Sequence, residues 1–260
     1  MNRIVAVIER AERAGPLLDV ATTYAEVIDG RLDVYSLPPA DPSVRLEVRA
    51  GAGDLHVLGP DAGADALVEA VARAPADLVV LGATALDPGG WATDLLRHHR
   101  VPLLAVPQPV SHYVVAGPPR VLVPLDGPPG SATAVVDAIQ LFAHPEAEVV
   151  VLHVFDEESA PRFWDQPAHA ERSWGEEFLT RHGRRSDSRL ELRSGSPRDE
   201  VLDAARAERA DVIALGCAGD LSPGRARLVR HVLHHAEVPV LLVHADAPGG
   251  RRAGAGTGAR

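Results

Sequence analysis

The 260-residue chain contains no lysine, since all 26 of its basic residues are arginine. This absence excludes a Walker-type phosphate loop, whose lysine contacts the β- and γ-phosphates. It also excludes Schiff-base chemistry, which requires a lysine amine. Cysteine is nearly absent, and the single Cys217 excludes an intramolecular disulfide and a cysteine-based zinc finger.

Aromatic residues make up only 4% of the chain, whereas hydrophobic residues make up 46%, so the core consists mainly of Val, Leu, Ala and Ile. The formal charge of −10 argues against a general nucleic-acid binder. The apolar run before Glu9 is only about five residues long, too short for a signal peptide or a membrane helix. We therefore expect a cytoplasmic protein that binds neither nucleic acid nor membrane.

The sequence repeats itself, with three blocks of the first half returning in the same order in the second half. The matched pairs are RIVAVIER (3–10) with RVLVPLDG (120–127), ADLVVLGA (76–83) with ADVIALGC (210–217), and LLRHHRVPLLAV (95–106) with VLHHAEVPVLLV (232–243). Such ordered repetition indicates a duplicated domain.

Each half alternates short apolar runs with segments of helical spacing, a pattern that predicts mainly parallel sheets with helices on both faces. We expect domains at 1–108 and 119–245 and a disordered tail at 246–260. The seven residues between Leu37 and Arg45 are too few for a helix, so the first domain lacks its second helix. In the second half the predicted strands are 121–125, 149–155, 190–193, 212–216 and 238–243, and the predicted helices are 131–142, 167–182, 196–209 and 225–235.

These blocks resemble the universal stress proteins in their tandem-domain form. RVLVPLDGPPGSATAVVDA resembles the opening strand, turn and first helix of that family, and VVVLHV its second strand. SGSPRDEVLDAARAERADVIALG and RHVLHHAEVPVLLV resemble its later helices and strands. The resemblance implies two Rossmann-like domains, each with a mostly parallel five-stranded sheet. It also implies a pseudo-dimer in which Leu103–Val106 meets Val240–Val243, which would cover two sheet edges.

Nucleotide-binding members of the family have a phosphate loop, Gly-x₂-Gly-x₉-Gly-Ser/Thr, whose backbone N–H groups and helix N-terminus hold the anion. Gly216 and Gly219 supply the first pair here, but Ala226 and Arg227 stand where Gly-Ser is expected. Only six residues lie between Gly219 and Ala226, so this shortened loop (216–226) lacks three residues.

The resemblance implies that adenine and ribose would lie against Pro124, Leu125, Asp126, Gly127 and Val154. Gly216, Gly219, Arg225 and Arg227 complete the candidate nucleotide site. Arginines can replace lost phosphate contacts, and Arg227 and Arg230 share a helix face. The alternative is that these arginines are surface charges.

The first half departs further from the family pattern. It keeps Gly82, but Ala85 replaces the second glycine, and Gly89–Gly90 follow after only three residues. Glu9 and Arg10 replace the Asp-Gly turn. The sequence therefore predicts that only the second domain carries a nucleotide site.

Three other features have a functional and a structural interpretation. The histidines His231, His234 and His235 include a spacing that can hold zinc, but histidines near a helix C-terminus also suit its dipole; we expect no metal. Cys217 is either redox-sensitive or simply packed, and we favour packing. Trp164 and Trp174 form either a partner surface or a cover for the sheet edge.

We find no set of nucleophile, base and acid for catalysis. Ser131, Asp126 and His153 are present, but Ser131 is best explained as a helix cap. The leading hypothesis is a non-enzymatic stress-response protein with weak or no ATP binding, acting through unidentified protein partners or another small ligand. The alternative is an ATP- or AMP-binding sensor using the second domain only. A metal-dependent nucleotide hydrolase is a third hypothesis.

Overall fold

The structure is a computed structural model that describes residues 2–9, 14–37, 53–108, 119–125, 147–155, 188–222, 224 and 226–244. Several predictions fall outside these ranges. They are the second-half helices 131–142 and 167–182, the missing helix near residue 40, the disordered tail, both tryptophans of the 158–174 segment, and the site residues Asp126, Gly127 and Arg225.

The first half alternates strands and helices as its apolar pattern predicts. Its strands are β1 (Asn2–Ile8), β2 (Gly30–Ser36), β3 (Leu55–Val57), β4 (Leu78–Gly82) and β5 (Leu103–Val106). Its helices are α1 (Ala14–Val27), α2 (Ala64–Arg73) and α3 (Ala92–His98), and a 3₁₀ helix (Ala83–Leu86) follows β4.

The described part of the second half follows the same order. Its strands are β6 (Arg120–Pro124), β7 (Glu148–Phe155), β8 (Arg189–Ser194), β9 (Val212–Cys217) and β10 (Val240–His244). Helix α4 (Pro197–Ala207) begins with a proline, where the missing N–H costs nothing. Helix α5 (Arg227–His235) begins two residues later than predicted, because Ala226 is in the left-handed conformation.

The ten described strands form one sheet in the order β3-β2-β1-β4-β5-β10-β9-β6-β7-β8. Within each half all described strand pairs are parallel. The halves join where β10 pairs antiparallel with β5, in the register Val240 to Ala105 and Leu242 to Leu103. The predicted α/β fold, with a five-stranded and mostly parallel sheet in each half, is confirmed.

The core lies on both faces of this sheet, because alternate residues of a strand point to opposite sides. Ile4 and Ala6 belong to the cluster that α1 covers. Val5 and Val7 belong to the opposite cluster, which contains buried residues of the other four described helices. The strands therefore read as continuous apolar runs, as expected for a sheet buried on both faces.

Candidate functional site

The candidate site is a cleft in the second half, at the carboxyl ends of β6, β7 and β9. From β6 the chain proceeds to β7 on one side of the sheet and later returns to β9 on the other side. Such a reversal of strand order leaves a crevice, which is where open α/β sheets bind ligands. A cavity of about 680 Å³ occupies this crevice, and we call it the second-half cleft.

The structure brings most of the described candidate residues together. Pro124, Leu125, Val154, Gly216 and Arg227 all line the second-half cleft. Gly219 is not among the described residues that line it. Three further candidates, Asp126, Gly127 and Arg225, are outside the described residues, so their assignment stays a prediction.

The described walls of the second-half cleft are mainly apolar. Strands contribute Leu125, Leu152 and Leu215, and helix α4 contributes Pro197 and Val201, which the sequence reasoning missed. Helix α5 adds Leu228 and Val229. An apolar slot with a few polar groups at its rim suits a flat organic group such as a nucleobase.

The shortened loop uses its polar groups internally. The backbone N–H of Ser222 donates to Asp220 Oδ1 over 3.0 Å, and the Ser222 hydroxyl donates to the same oxygen over 2.5 Å. The N–H of Gly219 donates to Cys217 Sγ over 3.4 Å. A phosphate loop must direct its backbone N–H groups at the ligand. Here the N–H groups of Gly219 and Ser222 are bonded to Cys217 and Asp220 instead.

Asp220 lines the second-half cleft and is a charged residue that sequence reasoning also overlooked. Its signal was visible, because an acidic residue directly follows Gly219 in a loop compared with phosphate-binding loops. A carboxylate at this place repels a phosphate group through like charge.

Ala226 stands where the family pattern has glycine, and its backbone keeps the conformation that glycine favours. Its φ and ψ are 43° and 45°, in the left-handed region. Non-glycine residues rarely adopt this conformation because Cβ approaches the following carbonyl oxygen. The shortened loop thus has, at Ala226, a backbone conformation that glycine would adopt without strain.

The two arginines of α5 do not act together on the cleft. Arg227 lines the cleft and is exposed, at the first residue of α5. Arg230 is half-buried, and its Nε has no hydrogen-bond partner among the described residues. It is not among the described residues that line the cleft, so Arg227 is the described basic group available to a ligand there.

Cys217 lies in the floor of the second-half cleft. Its side chain is buried, and burial raises the pKa of the thiol above its ordinary value. The hydrogen bond from Gly219 opposes this effect only in part. The protonated thiol is therefore favoured, which fits the packing interpretation.

The first half has a cleft at the corresponding place, with a cavity of about 620 Å³. Its described lining includes four carboxylates, from Glu9, Asp65, Glu69 and Asp94, together with Trp91. Gly90 lies in a tight turn where only glycine fits, since a Cβ there would lie 2.3 Å from the carbonyl oxygen of Ala85. This acidic lining repels phosphate through like charge. That only the second half carries a nucleotide site stays a prediction.

The histidines of α5 are engaged with each other. His231 and His235 stack with ring centroids 4.2 Å apart. The ring Nδ1 of His235 lies 2.8 Å from the carbonyl oxygen of His231 and donates a hydrogen bond to it. Burial and the neighbouring His235 lower the pKa of His231.

A second cluster of acidic side chains lies where β2 and β3 pair. The side chains of Asp33, Asp54 and His56 are close enough together there to hold one metal ion. Arg31 forms ion pairs with both carboxylates. The guanidinium thus supplies the positive charge that a metal ion would otherwise bring.

Among the described residues, no helix is both long and apolar enough to cross a bilayer.

The geometry defines an α/β protein with two Rossmann-like half-sheets and a cleft at the carboxyl edge of each. Residues 118–244 match the model of the universal stress protein family. The second half of the chain is therefore a universal stress protein domain. None of the curated proteins matches the chain.

Solved structures are similar to the chain over almost its whole length. A universal stress protein from Archaeoglobus fulgidus DSM 4304 is 15% identical, covering 93% of this chain and 96% of its own, with a TM-score of 0.61. A functionally unknown protein from Pseudomonas aeruginosa PAO1 is 18% identical, covering 95% and 93%, with a TM-score of 0.63. At these identities the likeness shows the fold alone.

Proposed function

We propose that the protein is a non-enzymatic stress-response regulator whose second-half cleft binds an adenosine-like molecule without a polyphosphate chain. The observation that supports this most strongly is an apolar cleft beside a loop in which two backbone N–H donors, those of Gly219 and Ser222, are bonded to Cys217 and Asp220. A nucleobase and ribose have a place to bind, whereas a triphosphate meets a carboxylate.

The size of the cleft supports the same proposal. Small-molecule sites usually enclose about 300 to 1,000 Å³, and the second-half cleft lies within this range. The resemblance to the family assigns Pro124, Leu125 and Val154 to the adenosine end of the site, and all three line the cleft.

The chemistry of the described lining supports binding rather than catalysis. It offers one carboxylate, one guanidinium and one thiol with a raised pKa, and the described lining includes no histidine that could act as a base. His153 stands between the lining residues Leu152 and Val154, and its Nδ1 lies 2.9 Å from the carbonyl oxygen of Leu125. Regulation through a bound ligand and protein contacts needs no more than this.

The test is calorimetric titration of the full-length protein with adenosine, AMP and ATP with Mg²⁺. Adenosine should bind, and ATP should bind more weakly or not at all. A Val154→Trp variant should lose adenosine binding because the indole fills the cleft. The matched control, Val57→Trp, places the same side chain on an exposed strand of the first half and should bind as the wild type does.

A second candidate function, an AMP or ATP sensor, is favoured by one observation. Arg227 is exposed, lines the cleft and stands at the N-terminal end of α5, where an anion is attracted. This function predicts that AMP binds more tightly than adenosine and that an Arg227→Gln variant abolishes the difference. Equal or weaker binding of AMP would exclude it.

A further inference from the structure

The carboxylate of Asp220 accepts hydrogen bonds from a donor pair of the shortened loop that a bound anion could otherwise use. Its Oδ1 accepts hydrogen bonds from the N–H and the hydroxyl of Ser222. It follows Gly219, whose φ of +82° turns the chain at this point. Asp220 also lines the second-half cleft, so a ligand bound there lies close to it.

We propose that Asp220 is the specificity-determining residue of the second-half cleft, and that it excludes phosphate-bearing ligands while admitting uncharged nucleosides. The inference rests on the proposed function, because it explains how that cleft selects among adenosine compounds. It concerns the choice of ligand and leaves open what the bound protein regulates.

Two physical effects of Asp220 act in the same direction. The first is Coulomb repulsion between the carboxylate and a phosphate, which is larger at a protein surface than in bulk water. The second is competition for donors, because a backbone N–H bonded to a carboxylate is no longer free to bind a phosphate oxygen. Arg227 also lines the cleft and attracts anions, so the selectivity depends on Asp220 outweighing it.

The experiment compares three variants of the full-length chain with the wild type. Asp220→Asn removes the charge but keeps a side-chain oxygen that can accept the Ser222 N–H. Asp220→Ala removes the charge and releases both donors. Asp203→Asn makes the same change of net charge at an exposed residue of α4, outside the described lining of the cleft.

The probes are adenosine, AMP and inorganic tripolyphosphate, each titrated by calorimetry at low ionic strength. Asp220→Asn should raise the affinity for AMP relative to adenosine by about tenfold, which corresponds to about 1.4 kcal/mol. Asp220→Ala should raise it further, and both variants should gain binding of tripolyphosphate. Asp203→Asn should match the wild type. Added salt should weaken the discrimination of the wild type, because it screens charge.

The inference and the proposed function fail in different ways. If adenosine binds but the ratio of AMP to adenosine affinity is the same in all four proteins, Asp220 does not determine specificity. If adenosine binds to none of them, the proposed function fails, and tripolyphosphate then decides the inference. Binding of tripolyphosphate to the Asp220 variants alone supports it, and equal binding, or no binding, by all four proteins overturns it.

Discussion

Gly219 packs against the carbonyl oxygen of Leu96, which belongs to the other half of the chain. A Cβ atom at Gly219 would lie 3.1 Å from this oxygen and 3.3 Å from the Cα of Arg97. A second contact between the halves joins His234 of α5, whose Nδ1 lies 3.7 Å from Oδ1 of Asp87. The second glycine of the shortened loop therefore allows close contact between the halves. Its neighbours Ala218 and Asp220 line the cleft, whereas Gly219 is not among the described lining residues.

This contact predicts that Gly219→Ala destabilises the protein more than a positive φ alone would. A left-handed alanine costs about 1 to 2 kcal/mol, and crowding against a backbone oxygen adds about 1 kcal/mol. The measurement is the free energy of unfolding in urea.

Gly224→Ala is the matched control for this substitution. Gly224 has a similar φ of +87°, but a Cβ there would have no heavy atom within 4 Å. It should show only the cost of the left-handed backbone. Equal destabilisation by the two variants would contradict the packing of Gly219 against Leu96.

Ala226→Gly should stabilise the protein, because Ala226 is left-handed at the start of α5. Relief of this strain should raise the free energy of unfolding by about 1 kcal/mol, less the larger entropy of glycine in the unfolded chain. Ala218→Gly, in the same loop but outside the residues with positive φ, should instead be neutral or destabilising. A loss of stability in Ala226→Gly would argue against the left-handed geometry.

Cys217 should react slowly with iodoacetamide in the native protein, because burial raises the pKa of its thiol. In the unfolded chain the thiol ionises at its ordinary pKa, while the native state still holds the proton. Stability should therefore be full below that ordinary pKa and fall as the pH rises above it. Cys217→Ala should remove this alkaline loss, and rapid alkylation of native protein at neutral pH would contradict the prediction.

His231 should make the protein less stable in mild acid. Burial, followed by the positive charge of His235, lowers the pKa of His231 below its ordinary value of 6.5, and Asp199 opposes this only in part. The contribution of neutral His231 to the free energy of unfolding is fully present above pH 6.5. It is lost as the pH falls through the lowered pKa of His231 in the native protein. His231→Gln should flatten the dependence of the free energy of unfolding on pH between 7 and 5. An unchanged slope would count against this cause.

Much of the fold could be predicted from the sequence because it depends on repeated, strongly apolar segments. The strand of 212–216 and the helix beginning at Ser196 and Pro197 were predicted within one or two residues of β9 and α4. The 3₁₀ helix at Ala83–Leu86 was not predicted, since four residues carry no periodic signal. The late start of α5 depends on the backbone of Ala226, which composition does not reveal.

The candidate site could be predicted only in part. Comparison with a family motif finds the residues that the motif contains and misses residues that the motif does not contain. It located Pro124, Leu125 and Val154, which lie together in the cleft. It overlooked Asp220, whose importance depends on the hydrogen bonds from Ser222. It also placed Gly219 with the ligand, whereas Gly219 packs against Leu96 and Arg97 of the first half and is not among the described residues that line the cleft.

The measurement that tests the central claim most directly is a paired calorimetric titration of the wild-type protein with adenosine and with ATP and Mg²⁺. Adenosine should bind in the second-half cleft, and ATP should bind more weakly or not at all, because the carboxylate of Asp220 repels its phosphates. ATP binding more tightly than adenosine would contradict the account and would mean that Arg227 and its neighbours have restored a phosphate site.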